Sequence, residues 1–446
     1  MRNLHFFIAF LLLASSVSAK KTDEWTSLFN GKDLTGWHQL NGKAKYQAEK
    51  GEIVGTTVSD TLNSFLVTDK EYKDFILELD LLVDNDMNSG IQFRSLSKAD
   101  VMNGRVHGYQ CEVDPSTRAW SGGIYDESRR GWLYTGELNP GAKSAFKLGK
   151  WNHYRIECIG NNMRTWLNDV PVAYLIDDMS SSGFIALQVH AIDKGAKPGN
   201  QIRWKNIQIK TTNLTPTETP DVYVVNLIPN TLSQAEKNQG WKLLFDGKTT
   251  DGWVESGKTE FPKEGWKVAD GIISTVPNKP ESPVRGTDIV SKEEFGAFEL
   301  QFEFNFDEGA NGGIKYCVGN GGLGIGLEYQ ILDDKRHPDA KAGIDGNRKM
   351  SSLYDLIPSK KEPRFTKGPN EWNLGKIILY PDNRVEHWLN GIKVVEFVRG
   401  SDKYNELVAK SKYAHYKDFG MTKESPILLQ YHQDLVKLRS IKIRKL

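Results

Sequence analysis

The chain has 446 residues, more than one ordinary hydrophobic core uses, and its length suits two domains and a connection. Hydrophobic residues make up 39% of it and charged residues 26%, a globular balance that argues against disorder. The formal net charge is +1 and no basic run is interleaved with aromatic residues, so the sequence predicts no nucleic-acid partner. Its 41 glycines, 12 tryptophans and 16 tyrosines fit an all-β protein with many turns.

The N-terminus has the form of a secretion signal. Arg2 supplies a positive charge, residues 6–14 form an apolar run too short to span a bilayer, and residues 17–19 offer a small-x-small cleavage site. We therefore expect residues 1–19 to be a signal peptide that is cleaved near Ala19. The mature protein would be exported, to the periplasm, and no later apolar stretch is long enough to cross a membrane.

Cysteine is sparse and odd in number. The three cysteines are Cys111, Cys158 and Cys317, and no CxxC pattern is present. The sequence therefore predicts buried free thiols rather than a disulfide scaffold or a cysteine metal site.

Six sequence blocks occur twice in the same order, which indicates a tandem duplication. The paired blocks are 27–37 with 242–253, 84–94 with 307–317, 122–128 with 351–357, 150–172 with 371–394, 184–190 with 426–432, and 202–210 with 436–445. We place a first domain at 24–210 and a second at 241–446.

Residues 211–240 separate the two repeats. Their first part is rich in Thr and Pro, which is typical of a linker. Residues 231–240 predict a short helix, because Thr231 and Gln234 have capping-box spacing and Gly240 suits the helix end.

Both repeats consist of short segments with alternating apolar and polar residues, such as 75–83 and 298–306. That period of two indicates β-strands. The segments 166–172 and 388–394 are predicted hairpins, since Asn-Asp and Asn-Gly suit two-residue turns. We therefore expect two tandem antiparallel β-sandwiches, in which one sheet face packs on the core and the other can stay polar.

Polar residues recur at matching positions of the two repeats. The segment GYQCEVDP (108–115) aligns with GLEYQILDD (326–334), so an acid and an amide recur with their order exchanged. The aligned pairs are Gln110 with Glu328, Glu112 with Gln330, Gln92 with Lys315, Arg94 with Cys317, Gln188 with Gln430, His190 with His432, Tyr125 with Tyr354, and Asp126 with Asp355. A curved sheet would gather these side chains on its concave side. Arg130 and Trp132 in the nearby loop would suit a polyol or a carboxylate.

The ordered set of blocks resembles the bacterial 3-keto-disaccharide hydrolase family. The matching motifs are SLFNGKDLTGW, the NSGI and NGGI strands, GLEYQILDD, IYD, WN, WLNG and LQ-x-H. The resemblance covers nearly all of both repeats, and it implies a concanavalin A-like (jelly-roll) β-sandwich for each.

The resemblance also implies a substrate class: glycosides whose C3 hydroxyl a separate sugar 3-dehydrogenase has oxidised to a ketone. A C3 ketone acidifies the C2 proton, so the group on C1 can leave by elimination, and water can then add back. Such a site needs a base for the C2 proton, an acid for the leaving oxygen, and a cation at the enolate oxygen.

These roles are assigned to the recurring residues. In the first domain the base is His190, the acid is Glu112 or Asp114, and the cation is Arg94. In the second domain the base is His432, the acid is Glu328 or Asp333, and the cation is Lys315. No cofactor is certain, but a divalent metal held by His and carboxylates would serve the third role equally well. Residues expected to bind substrate are Gln92, Gln110, Tyr125, Asp126, Arg130, Trp132, Gln188, Gln330, Tyr354, Asp355 and Gln430.

Two other functions fit the same sequence. A retaining glycosidase would use two carboxylates ~5 Å apart, and Glu112 and Asp114 are suitably placed on a strand. The second repeat has Gln330 and Leu332 at those positions, so the pair does not recur. A carbohydrate-binding module without activity is the other alternative. We favour the enzyme, because a recurring His, acid and cation set is more than sugar binding needs.

Overall fold

The computed structural model describes residues 25–83, 85–218, 222–281, 283–319, 321–322 and 324–446. The expected signal peptide, residues 1–19, lies outside them. Within the described ranges, no helix combines the length and the apolar character that crossing a membrane requires.

The first repeat and the segment after it hold strands β1 to β16. In chain order they are Thr26–Ser27, Trp37–Leu40, Lys45–Glu49, Glu52–Thr56, Ser64–Tyr72, Phe75–Val83, Ser89–Leu96, His107–Val113, Ile124–Glu127, Gly131–Tyr134, Trp151–Ile159, Asn162–Leu167, Val170–Ile176, Gly183–Val189, Gln201–Lys210 and Val224–Asn226. Two 3-10 helices, Gly136–Leu138 and Pro140–Ser144, follow β10.

Helix α1, Gln234–Asn238, leads into the second repeat, which holds strands β17 to β29. These are Lys242–Leu243, Trp253–Glu255, Trp266–Ala269, Ile272–Thr275, Ile289–Phe295, Phe298–Phe306, Asn311–Tyr316, Leu327–Leu332, Asn373–Leu379, Arg384–Leu389, Ile392–Val398, Ser425–Leu429 and Val436–Lys445. Helix α2, Asp402–Ala409, lies between β27 and β28, and 3-10 helices form at Pro338–Lys341 and Pro363–Phe365.

Each repeat forms a β-sandwich of two sheets. The sheets of the first have the orders β16-β13-β12-β11-β6-β15-β4-β3, with β1 also on β15, and β10-β9-β8-β7-β14-β5-β2. Those of the second have the orders β19-β20-β29-β22-β25-β26-β27, with β17 also on β29, and β18-β21-β28-β23-β24. Among the described residues the strands pair antiparallel, apart from the parallel pair β13–β16. The predicted all-β architecture with two sandwich domains is confirmed.

The core of each domain lies between its two sheets. Strand β8 shows how the alternation works, since Tyr109, Cys111 and Val113 are fully buried in the core while Gln110 and Glu112 point to the other face. All three cysteines are free and buried, as predicted.

Strand register in the two repeats agrees with the alignment made from sequence. Gln92 pairs with Gln110 in the first domain, and Lys315 pairs with Glu328 in the second. The two predicted hairpin turns also form, with positive φ at Asn168 and Asp169 and again at Asn390 and Gly391.

The segment between the repeats contacts both domains. Strand β16 extends a sheet of the first domain by pairing with β13. The preceding residue, Tyr223, donates its hydroxyl to Glu299 of the second domain at 3.1 Å and accepts from the Gln301 amide. The middle of the predicted linker is therefore a structural element rather than a free tether.

The helix in this segment begins two residues later than predicted. Ser233 is its N-cap, and Ser233 and Glu236 form a reciprocal capping box. Thr231 and Gln234 do not form it, because the Glu three residues after Ser233 reaches back to the Ser233 N–H. Gly240 follows the C-cap with φ +83, as expected for the residue that ends the helix.

Candidate active site

A polar face on the smaller sheet of the second domain gathers most of the residues predicted there. Lys315 on β23 and Glu328 on β24 face each other across the strand pair, and Gln330 lies two residues further along β24. Gln430, just past β28, joins β23 through its N–H to the Gly313 carbonyl. The opposite face of these strands packs into the core.

Glu328 is the buried acid of this face, with 4% of its surface exposed. Its carboxylate lies 3.8 Å from Nζ of Lys315, which also donates to the Gly324 carbonyl at 3.0 Å. Burial raises the pKa of Glu328, and the charges of Lys315 and Lys412 oppose that shift only in part. A carboxyl whose pKa is raised holds its proton at higher pH than an exposed one, which suits it to act as a general acid.

His432 stands beside this acid, with 46% of its side chain exposed. Its Nδ1 lies 3.9 Å from an Asp434 oxygen, and its Nε2 lies 3.4 Å from the Asn311 amide nitrogen. Asp434 raises the pKa of His432 and the charge of Glu328 adds to the shift, although burial opposes it. An imidazole with acidic neighbours is suited to accept a proton.

Three residues at the edge of the face could hold a metal ion. His337, His432 and Asp434 each offer a ligand atom within 4.8 Å of the others. Nδ1 of His337 accepts the Asp339 N–H at 3.1 Å, which leaves its Nε2 for a metal. Two imidazoles and one carboxylate suit a divalent transition metal.

Residues from the loops after β24 and after helix α2 also line the site. Lys412 follows helix α2, and its Nζ lies 4.2 Å from the ring centre of Tyr354. The Tyr354 hydroxyl donates to Asp339 at 2.8 Å, and Arg348 joins Asp339 to Asp355. Burial lowers the pKa of Lys412, against the charge of Glu328. Two ammonium groups, of Lys315 and Lys412, therefore act on one buried acid.

The corresponding face of the first domain is chemically different. Gln92 and Gln110 occupy the positions of Lys315 and Glu328, and the Gln92 amide donates to Gln110 at 2.6 Å. Glu112 is the remaining acid and accepts from the Asn88 amide at 2.6 Å. Burial raises the pKa of Glu112 to about 7.

The family model for the 3-keto-alpha-glucoside-1,2-lyase-like domain matches residues 24–210 and again residues 240–444. The chain belongs to this family. A curated relative, the 3-keto-disaccharide hydrolase of Bacteroides thetaiotaomicron, is 33% identical over 232 residues, which are 46% of this chain and 79% of the relative.

Solved structures also match this member of the lyase-like family, each over a stretch about as long as one domain. One, named as a candidate glycosyl hydrolase from Parabacteroides distasonis, is 28% identical and covers 49% of this chain and 99% of its own, with a TM-score of 0.43. A carbohydrate-binding module from Bacillus subtilis is 20% identical and covers 40% of this chain and 96% of its own, with a TM-score of 0.30.

Arg94 does not reach the polar face in this lyase-like protein. It has φ +46 at a break in the β7–β8 register, and its side chain is 1% exposed. The guanidinium donates to the carbonyls of Lys73 and Gly160 and pairs with Asp74 at 2.9 Å. Arg94 is therefore a structural residue rather than the cation predicted for the enolate oxygen.

Asp114 and Asp333 are poor candidates for the predicted acid. Burial acts to raise the pKa of Asp114, but hydrogen bonds from Ser116 and Arg118 lower it overall. Burial likewise acts to raise the pKa of Asp333, but hydrogen bonds from Gly309 and from residues that closely follow Asp333 lower it overall. Of each predicted acid pair, only Glu112 and Glu328 have a pKa raised above the ordinary value of a glutamate.

The Tyr-Asp pairs divide between two faces, because neighbours on a strand point in opposite directions. Tyr125 lies opposite Gln110 and so joins the polar face. Asp126 is fully buried and pairs with Arg130, which also pairs with Asp177. Asp126 and Arg130 therefore form a structural ion-pair cluster rather than the direct substrate contact predicted for them.

Asp355 also serves as a support. It accepts from Arg348 Nε at 2.6 Å and from the Lys412 backbone at 2.8 Å. It therefore positions Lys412 and Arg348, in place of the substrate contact that the sequence predicts.

The Gln-x-His pair of the first domain is present with unused hydrogen-bonding capacity. Gln188 is fully buried, and neither its amide oxygen nor its nitrogen has a partner among the described residues. His190 holds its Nδ1 2.6 Å from the Ala191 carbonyl, so Nδ1 carries the proton and Nε2 can accept.

Several residues of the site escaped the sequence comparison. Asp288, whose charge acts on Glu328, has no polar equivalent in the first repeat, where Phe65 takes its place. Lys412 lies after helix α2, in a stretch that the sequence comparison did not align. Asp434 could have been found from its spacing, two residues after His432. His337 and Asp339 form a visible His-Pro-Asp motif that carried no role in the prediction.

Proposed function

We propose that the protein is an exported carbohydrate-active enzyme that cleaves 3-keto-glycosides, and that its second domain is the catalytic copy. The observation that carries this proposal is the grouping of the buried Glu328 with Lys315 and His432 on one polar face. The family match and the name of the curated relative support the substrate class.

In the proposed reaction, His432 takes the C2 proton and the C–H electron pair forms an enolate with the C3 oxygen. Lys315 stabilises the negative charge on that oxygen. The enolate then expels the C1 oxygen with the C1–O electron pair, and Glu328 protonates the leaving group. Addition of water across the C1–C2 double bond of the enone gives a free 3-keto sugar, so the sum is hydrolysis.

For the first domain we propose binding without cleavage. It keeps a histidine and an acid but replaces Lys315 and Glu328 by Gln92 and Gln110, which bond to each other. The half-buried His190, whose Nδ1 is used by the Ala191 carbonyl, leaves Nε2 as an acceptor that suits a sugar hydroxyl.

The test is turnover of a 3-keto-glucoside and of the unoxidised glucoside, read for enone and free aglycone. Cleavage of the keto compound alone supports the proposal, whereas cleavage of the plain glucoside supports a conventional glycosidase. Parallel assays with a chelator test whether Lys315 or a metal ion stabilises the enolate oxygen. Activity lost to the chelator and restored by a divalent metal would assign the enolate to an ion on His337, His432 and Asp434.

A further inference from the structure

A cavity of about 940 Å³ lies between the two domains. The first domain lines it with Arg118, Tyr125 and Trp132, and the second with Lys367 and Trp372, among others. Its volume is in the upper part of the range of small-molecule sites, about 300–1,000 Å³. The lining does not include Lys315, Glu328 or His432, so the cavity is separate from the proposed catalytic face.

Direct contacts between the domains fix the walls of this cavity. The rings of Trp120 and Phe365 lie 5.5 Å apart, and the Thr135 hydroxyl donates to the Gly391 carbonyl at 2.7 Å. The cavity therefore exists only where both repeats are present in this arrangement.

Its aromatic side chains are held in place by their neighbours. Trp132 packs edge-on against Tyr125 at 5.3 Å and against Trp120 at 4.7 Å. Trp372 is covered on one side by Arg439, whose guanidinium carbon lies 4.1 Å from the ring centre. Rings fixed in this way can pack against the C–H groups of a pyranose.

The cations of the wall are paired, with Lys367 as the exception among the described residues. Arg118 pairs with Asp114, Arg130 with Asp177, and Arg439 with Glu303. Nζ of Lys367 has no such partner, and burial together with the charge of Arg130 lowers its pKa, while the charges of Glu371, Glu303 and Asp126 oppose this only in part. An ammonium that is largely withdrawn from water is stabilised by an anion.

We propose that this cavity binds a saccharide with an anionic substituent, either the carboxylate of a uronate or a sulfate ester. Lys367 pairs with the anion, and Trp132 and Trp372 contact the sugar ring. The site is independent of the proposed catalytic face, so it stands or fails separately from the proposed function.

The test is calorimetry of the full-length protein with methyl glucuronide, glucose 6-sulfate and methyl glucoside as probes. We expect at least one anionic probe to bind about tenfold more tightly than the neutral glucoside, and its affinity to fall with added salt. Lys367→Met should remove this preference, and Lys367→Arg should retain most of it. Lys360→Met, at an exposed lysine outside the cavity, is the matched control.

The two anionic probes separate carboxylate from sulfate as the group bound. Equal affinity for all three probes, or an unchanged preference in Lys367→Met, would overturn the proposal. Thermal unfolding of each variant shows that the fold is intact. Turnover of a 3-keto-glucoside should be the same in Lys367→Met and wild type, because turnover reports on the proposed catalytic face and not on the cavity.

Discussion

Lys315 and Glu328 face each other across two neighbouring strands of the second domain, 3.8 Å apart, with both side chains largely withdrawn from water. The two equivalent positions of the first domain hold glutamines, and the Gln92 amide donates one hydrogen bond to Gln110. Burial of an ion pair is costly, and here one repeat has the pair while the other has two amides in its place. This difference indicates that the two domains have different functions.

Lys315→Met should lower kcat on a 3-keto-glucoside by about 10²-fold or more, since the charge at the developing enolate is lost. The matched control is Gln92→Met at the equivalent position of the first domain, which should leave kcat near that of the wild type. If both variants lose activity equally while their thermal midpoints match, the catalytic site is not confined to the second domain.

Glu328→Gln should slow release of poor leaving groups more than of good ones, because only the former need a proton from the acid. The measurement compares kcat for an alkyl and a nitrophenyl 3-keto-glucoside. A uniform decrease for both substrates would argue for a structural role of Glu328.

His432→Gln should abolish exchange of the C2 proton with solvent, because it removes the proposed base. The exchange can be followed by NMR in D₂O with a 3-keto-sugar that has no leaving group on C1. His190→Gln is the control from the first domain and should exchange at the wild-type rate. Persistent exchange in His432→Gln would require another base.

Glu112 predicts a pH effect on stability. Its pKa is about 7 in the folded protein, against an ordinary value of 4.5, because burial outweighs the hydrogen bonds from Asn88 and Gln110. The folded state thus holds this proton more tightly than the unfolded state. The stabilisation is complete below the unfolded pKa and is lost as pH rises through the folded one, by about 3 kcal/mol in all.

Glu112→Gln carries no titrating proton at this position, so its Tm should fall less between pH 5 and pH 8 than that of the wild type. Glu71→Gln, at an exposed glutamate, is the control and should follow the wild-type curve. Parallel curves for the wild type and Glu112→Gln would show that Glu112 is ionised without penalty.

Local patterns in the sequence predicted the fold well, because strand alternation and Asn-Gly turns act over a few residues. The internal repeat added the correspondence between the two domains, in which Lys315 is equivalent to Gln92 and Glu328 is equivalent to Gln110. Arg94 was misplaced because a break in strand register, at a residue with φ +46, reverses the direction that alternation assigns. Such a break has no sequence signal when the residue is not glycine.

The surroundings of the site could not be read from the repeat. Lys412 arrives from a segment of the second domain after helix α2, far along the chain from Glu328. A comparison of the two repeats shows the residues that they share. The charged residues that suit only one repeat to catalysis lie at positions where the two sequences differ. The burial that separates Glu328 from Asp333 as an acid also depends on neighbours that only the folded chain brings together.

The attachment of residues 222–226 to both domains has a consequence for proteolysis. A protease that cuts the preceding stretch, within residues 211–218, would leave β16 on the fragment that carries the second repeat. That strand is also hydrogen-bonded to β13 of the first repeat, and Tyr223 is bonded to Glu299 of the second. The two fragments would therefore migrate together under native conditions and separate only in denaturant.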